Sequence, residues 1–233
     1  RPEAASVAAS FLYATTRHEA QVRLRKGWED VDAAHEIVHL RLDLVEGGSK
    51  LAWRRAVPRT EAVGEAFGRV QTYIEDEVVH ARLVKMGLAI DGEVLRSTLF
   101  DSLYADAARQ LEAGRDRPDD GMAHLDKHGY GALARTCFLV QAELLLKSYR
   151  AQLPPRRVGQ AERFIKAFRA RRKEEAARAD AVLARFAKHD VQTTGGRREI
   201  LKAWAAMEGL DNSVGVTAYR KTSEGVYILP YPE

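Results

Sequence analysis

The segment His35–His39, with the sequence His-Glu-Ile-Val-His, restricts most strongly what this chain can fold into. Histidines four residues apart project from one face of an α-helix, about one turn from each other, and suit two ligands of a single Zn²⁺. Glu36 would then lie beside the open metal position, where a carboxylate can take a proton from bound water. We therefore predict a zinc site in which His35 and His39 are metal ligands and Glu36 is the catalytic residue.

The segment belongs to a helix that the flanking sequence predicts as far as about residue 45. Acidic residues in its first turn suit the positive end of the helix dipole, and Gly47-Gly48 provides its end. Two β-favouring stretches at 8–16 and 20–25 precede it and predict a short sheet. Apolar residues at helical spacing form the predicted inward stripe of the helix: Val31, Ala34, Val38, Leu42 and Val45.

A second long helix is predicted over residues 60–86, and it is the expected source of the third metal ligand. Catalytic zinc normally takes three protein ligands and one water. Asp76, Glu77 and His80 flank the apolar stripe of this helix, and polar groups on a covered face need partners because burying them unpaired is costly. Each of the three is a candidate ligand, and the others would hold a histidine ring by hydrogen bonds. We expect Glu75 to project towards solvent.

A simpler alternative exists for the same residues. Asp76, Glu77 and His80 can form a surface cluster of ion pairs with Arg82, because residues three or four apart share one face of a helix. The sequence therefore leaves both a metal centre and a cluster of ion pairs open on this helix.

The pattern His35-Glu36-Ile37-Val38-His39, followed by the acidic segment Glu75-Asp76-Glu77, resembles the zincin metallopeptidases. It is most similar to the compact gluzincin-type domains of the ImmA/IrrE class, over about residues 8–90. In that class the third ligand is a glutamate on the helix after the motif helix, with a polar residue one turn later. Asp76 with His80 matches this pattern in spacing and Glu77 matches it in residue type, so the third ligand stays open. The resemblance implies cleavage of a protein or peptide substrate, such as a regulator or partner protein.

The remainder of the chain is predicted to be mostly helical. Helices are expected at 97–113, 132–149 and 158–189, residues 51–57 are interpreted as a basic connector, and Pro154-Pro155 marks the strongest boundary. A terminal hairpin is expected between 214–219 and 225–229.

These elements predict an α+β, mostly α fold. A small zincin-like core with a short N-terminal sheet and two site helices is followed by a helical C-terminal extension and a terminal β-hairpin. We expect three regions: a metallopeptidase core at 1–95, a helical region packing on it at 96–153, and the basic long helix with the hairpin at 154–233.

Peptide hydrolysis also needs a group that stabilises the oxyanion, usually a His, Tyr or Arg from a facing element. His124, His128 and Tyr130 are the candidates for this role or for substrate binding. His124 and His128 are themselves four residues apart and could bind a second metal, but a polar helix end beside the Asp119-Asp120 loop is the favoured interpretation of this pair.

The helix predicted at 158–189 is rich in arginine and lysine. Interspersed Glu and Asp residues indicate a solvated charged helix. Binding of nucleic-acid phosphates or of an acidic partner is the alternative, which we do not favour, and aromatic residues are not interleaved on the basic face.

Composition sets the class of protein. Apolar residues make up 45% and charged residues 30% of the 233 residues, as in soluble globular proteins, and no run of eighteen apolar residues predicts a membrane span. Cys137 is the only cysteine, so an intrachain disulfide and a cysteine-rich zinc site are excluded and a cytoplasmic location is expected. The sequence begins with Arg1 rather than Met, and we expect that residues upstream of it were removed or lie outside this sequence.

The leading hypothesis is a cytoplasmic zinc metallopeptidase that hydrolyses a peptide bond by means of zinc-bound water activated by Glu36. One alternative is a DNA- or protein-binding regulatory protein in which the metal site is structural or inactive. A second is a helical interaction module without metal.

Overall fold

The computed structural model describes residues 10–13, 20–23, 29–54, 61–92, 95–115, 127, 129–223, 227–229 and 232. Its helices are α1 (Asp30–Leu44), α2 (Glu61–Lys85), a π-helical segment (Leu95–Asp106) continued by α3 (Ala107–Glu112), α4 (Gly131–Tyr149), a 3₁₀ turn (Arg150–Gln152), α5 (Pro155–Arg171), α6 (Lys173–Lys188) and α7 (Thr194–Met207). Its strands are β1 (Ser10–Tyr13), β2 (Ala20–Arg23), β3 (Ser49–Trp53), β4 (Val214–Ala218), β5 (Arg220–Lys221) and β6 (Tyr227–Ile228). The predicted α+β, mostly α class is confirmed.

Helix α1, which carries the His-Glu-Ile-Val-His segment, has defined ends. The backbone N–H of Glu29 donates to the Asp32 carboxylate at 3.1 Å, as in a capping box. At the other end, Gly47 has a φ of +62°, and the N–H of Gly48 donates to the Leu42 carbonyl at 2.7 Å. The helix therefore ends where the two glycines predict.

The predicted inward stripe of α1 is confirmed in part. Val31, Val38 and Leu42 are buried, and Ala34 is half-buried. Val45 was wrongly included, since it is 73% exposed. The physical reason is that α1 ends at residue 44, so the helical spacing no longer applies one residue later.

Helix α2 lies against α1, and both belong to one hydrophobic cluster. Its residues Val70, Ile74 and Val78 are fully buried, at the positions that the apolar spacing predicts. The cluster continues through α4 to α7 and includes residues of all three predicted regions. The division of the chain into three regions, at residues 95 and 153, stays a prediction.

Strands β1 and β2 form the predicted N-terminal sheet, but the C-terminal strands differ from the prediction. β4 pairs antiparallel with β3, with Lys50 opposite Thr217 and Trp53 opposite Val214. The predicted hairpin partner of 214–219 was therefore wrong, and so was the connector assignment for residues 51–53, which belong to β3. Residues 55–57 of that connector lie outside the described residues. A shorter hairpin links β5 with β6. The sequence did not predict the pairing of β4 with β3, because the two strands are far apart in sequence and a local pattern does not indicate such a partner.

The single basic helix predicted at 158–189 is divided in two. Arg172 leaves the helical conformation, with φ −120° and ψ 66°, between α5 and α6. This break lets both helices pack on α4. Arg169 then binds Glu143 at 2.8 Å and Asp180 at 2.6 Å, so its charge is neutralised within the protein.

Within the described ranges, each helix is too short or too polar to cross a bilayer.

Candidate metal centre

Three side chains from α1 and α2 converge on one point. The Nε2 atoms of His35 and His39 are 3.1 Å apart, and they lie 3.5 Å and 3.3 Å from Oδ1 of Asp76. His39 and Asp76 are buried, whereas His35 is half-buried. Helical spacing places the two imidazoles on one face of α1, and the packing of α2 brings Asp76 opposite them.

The dimensions of this triangle suit a tetrahedral metal ion. Ligands at zinc distances of about 2.0–2.1 Å in tetrahedral geometry lie about 3.3–3.4 Å from one another. The observed separations of 3.1, 3.3 and 3.5 Å bracket that value. Two imidazole nitrogens and one carboxylate oxygen are also ligands that zinc accepts. The described residues therefore include a group that can hold a metal ion: His35, His39 and Asp76.

The Asp76 carboxylate is held in place from its other side. The side-chain amide of Gln141 on α4 donates to Oδ2 at 3.4 Å. Oδ1 is buried and faces Nε2 of both imidazoles, at 3.5 Å from His35 and 3.3 Å from His39. A buried carboxylate needs a positively charged partner, which a protonated imidazole or a cation in the triangle would supply.

Glu75 supports His39 from behind. Its Oε2 lies 3.2 Å from Nδ1 of His39, which leaves Nε2 directed at the other two ligands. Metal-binding histidines commonly have such a carboxylate on the second ring nitrogen. The expectation that Glu75 projects towards solvent was wrong, because this carboxylate is 6% exposed. Its charge is compensated by a buried lysine.

That lysine is Lys50 on β3. Its Nζ contacts Oε1 and Oε2 of Glu75 at 2.7 Å and 3.0 Å, and Oδ1 of Asp43 at 2.6 Å. Burial alone would lower the pKa of Lys50, but the two carboxylates raise it. Burial would raise the pKa of Glu75, whereas Lys50 and His39 lower it. Sequence reasoning missed Lys50 and Asp43, although the run Ser-Lys-Leu-Ala-Trp after two glycines carries a weak strand signal.

The electrostatics of the triangle favour positive charge. Burial alone would lower the pKa of His39, but Asp76 and Glu75 raise it to about 10. Burial would raise the pKa of Asp76, yet the neighbouring imidazoles hold it below its usual range. A metal ion and a proton therefore compete for the same nitrogen, as at other histidine metal sites.

Glu36, the predicted catalytic residue, follows His35 on α1 and is half-buried. Burial raises the pKa of its carboxyl group, and the imidazoles of His35 and His39 offset part of that rise. A carboxylate whose pKa is raised is a stronger general base than one with the usual pKa. Its carboxyl group interacts electrostatically with all three triangle residues, His35, His39 and Asp76.

The other two candidate ligands lie near the triangle but are not members of it. His80 is 1% exposed, and its ring centre lies 5.8 Å from that of His35. Neither of its ring nitrogens has a hydrogen-bond partner among the described residues, and burial lowers its pKa to about 4. Burial raises the pKa of Glu77 to about 8. Among the described residues, Arg82 forms its ion pair with Glu46, at 2.5 Å, rather than with Asp76, Glu77 or His80.

Of the three residues predicted to contact the oxyanion or the substrate, the structure describes only Tyr130. His124 and His128 lie outside the described residues. Tyr130 precedes α4 and packs half-buried against the hydrophobic cluster. No family model, curated protein or solved structure matches the chain.

Proposed function

We propose that this protein is a zinc-dependent metallopeptidase. The observation that carries the proposal is the triangle of His35, His39 and Asp76, whose sides of 3.1–3.5 Å suit a tetrahedral zinc ion. A glutamate between the two histidines adds the base that hydrolysis needs. The resemblance of His35–His39 to the zincin motif supports the same class.

Zinc bound by these three residues would act as a Lewis acid and bring the pKa of a coordinated water towards neutrality. Glu36 would accept a proton and return it to the nitrogen of the leaving amine. Asp76, held by Gln141, and His39, held by Glu75, would keep their ligand atoms fixed during the reaction. His124, His128 or Tyr130 stay the candidates for the oxyanion contact.

The proposed substrate is a protein or peptide, in accordance with the resembled class, and a regulatory protein is the proposed target. The competing proposal is a DNA- or protein-binding regulator with a structural metal site. The buried Glu75–Lys50 support behind His39 is compatible with either, so zinc binding and hydrolysis have to be measured separately.

The first test is the metal content of protein purified without added zinc. We expect about one zinc ion per chain in the wild type, and loss of it in His39→Ala, because one of three ligands is removed. His189→Ala is the matched control, since this histidine follows the end of α6, outside the triangle, and should retain zinc. Equal zinc in wild type and His39→Ala would contradict the site.

A further inference from the structure

Four buried side chains form a continuous line that ends at the candidate metal centre. Asp43 contacts Lys50, Lys50 contacts Glu75, and Glu75 contacts Nδ1 of His39. We propose that Lys50 is a positioning residue of the metal centre, acting by holding Glu75 against His39. This inference rests on the proposed metal site, and it concerns how that site is kept in shape rather than what it hydrolyses.

The contacts of Lys50 restrict the Glu75 carboxylate to one orientation. Nζ lies 2.7 Å from Oε1 and 3.0 Å from Oε2, so both oxygens are held. Oε2 also faces Nδ1 of His39 at 3.2 Å. A carboxylate fixed in this way remains a hydrogen-bond acceptor, which keeps the proton on Nδ1 and leaves the Nε2 lone pair for the metal.

Stability alone does not account for this arrangement. The four side chains are between 1% and 8% exposed, so water does not compete for their contacts. Buried ion pairs contribute little net stability compared with apolar residues of similar size, because the desolvation of the charges is costly. A role in orienting His39 gives these charges a function that an apolar core could not provide.

The position of Lys50 is itself set by distant parts of the chain. Strand β3 pairs with β4, where Lys50 lies opposite Thr217. The Ser49 hydroxyl donates to the Thr194 carbonyl of α7 at 3.3 Å, and the Leu51 N–H donates to Gln71 of α2 at 3.0 Å. The C-terminal segment therefore takes part, through β3, in supporting the residues that position His39.

The test is a double-mutant cycle on zinc affinity, measured by competition with a chromophoric chelator. Lys50→Met and Glu75→Gln should each weaken zinc binding by about 10–100-fold, as is typical for outer-shell partners of a metal site. Because the two residues act through one contact, the double variant should bind zinc about as weakly as the weaker single variant. Lys202→Met, an exposed lysine on α7, is the control and should bind like the wild type.

Val182→Ala separates positioning from stability. It removes buried apolar volume from α6, away from the line of four side chains, so its unfolding midpoint should fall while its zinc affinity stays within about tenfold of the wild type. Lys50→Gln, which keeps a polar side chain but removes the charge, replaces Lys50→Met if that variant does not fold. Variants with wild-type affinity, or with losses that multiply in the double variant, would overturn the role of Lys50 alone. A wild type that binds no zinc would overturn the metal site as well.

Discussion

Glu36→Gln is expected to lower peptide hydrolysis by about 10²–10⁴-fold, the contribution typical of a general base, and to leave zinc binding unchanged. The amide has nearly the shape of the carboxyl group but cannot accept the proton. Glu36 is not one of the three residues whose ligand atoms form the triangle, so the metal content should stay at the wild-type level. Release of fluorescence from a quenched, denatured protein mixture measures the activity, and metal analysis of the same samples measures the zinc.

Asp30→Asn is the matched control, because it makes the same change from acid to amide on an exposed position of α1. Its hydrolysis rate should equal that of the wild type. If Glu36→Gln retained full activity, the proposed base would be wrong. If the wild type bound zinc but cleaved nothing, the regulatory alternative with a structural metal site would be favoured instead.

The local part of the site could be predicted from sequence because helical geometry fixes it. Once α1 is a helix, residues 35 and 39 must lie on one face, which allows their Nε2 atoms to approach to 3.1 Å. The same holds for the ends of α1, where the acidic residues and Gly47 act on their immediate neighbours.

The choice among Glu75, Asp76 and Glu77 could not be predicted in the same way. Successive residues of a helix are rotated by about 100°, so three consecutive acids span more than half of the circumference, and all three are buried here. Which of them faces the histidines depends on how α2 packs against α1 and on the cation that compensates the others. That cation, Lys50, is on a strand whose register is set by residues 214–218, far away in sequence.

The break at Arg172 illustrates the same limit. No glycine or proline lies between residues 160 and 189, so the local sequence favours one continuous helix. The packing of Phe164 and Phe168 from α5, and of Val182 from α6, into the common cluster outweighs that local preference. Tertiary burial decides the break, and the ion pairs of Arg169 span it.

The third ligand is settled by comparing Asp76→Asn with His80→Leu. Asp76→Asn removes the charged oxygen that faces both imidazoles while keeping the size of the side chain, so zinc affinity should fall by more than about 100-fold, beyond the usual effect of an outer-shell residue. His80→Leu should keep zinc affinity within about tenfold of the wild type. Chelator competition measures both variants.

His80→Leu also has an expected effect on stability that follows from its surroundings. Both ring nitrogens of His80 are buried without a hydrogen-bond partner among the described residues, and such groups cost about 1–3 kcal/mol each when left unpaired. An apolar side chain of similar volume removes that cost, so the free energy of unfolding should be unchanged or higher, as measured by urea denaturation. If His80→Leu instead lost zinc while Asp76→Asn kept it, the metal would be bound by His80, and the triangle would not be the binding geometry.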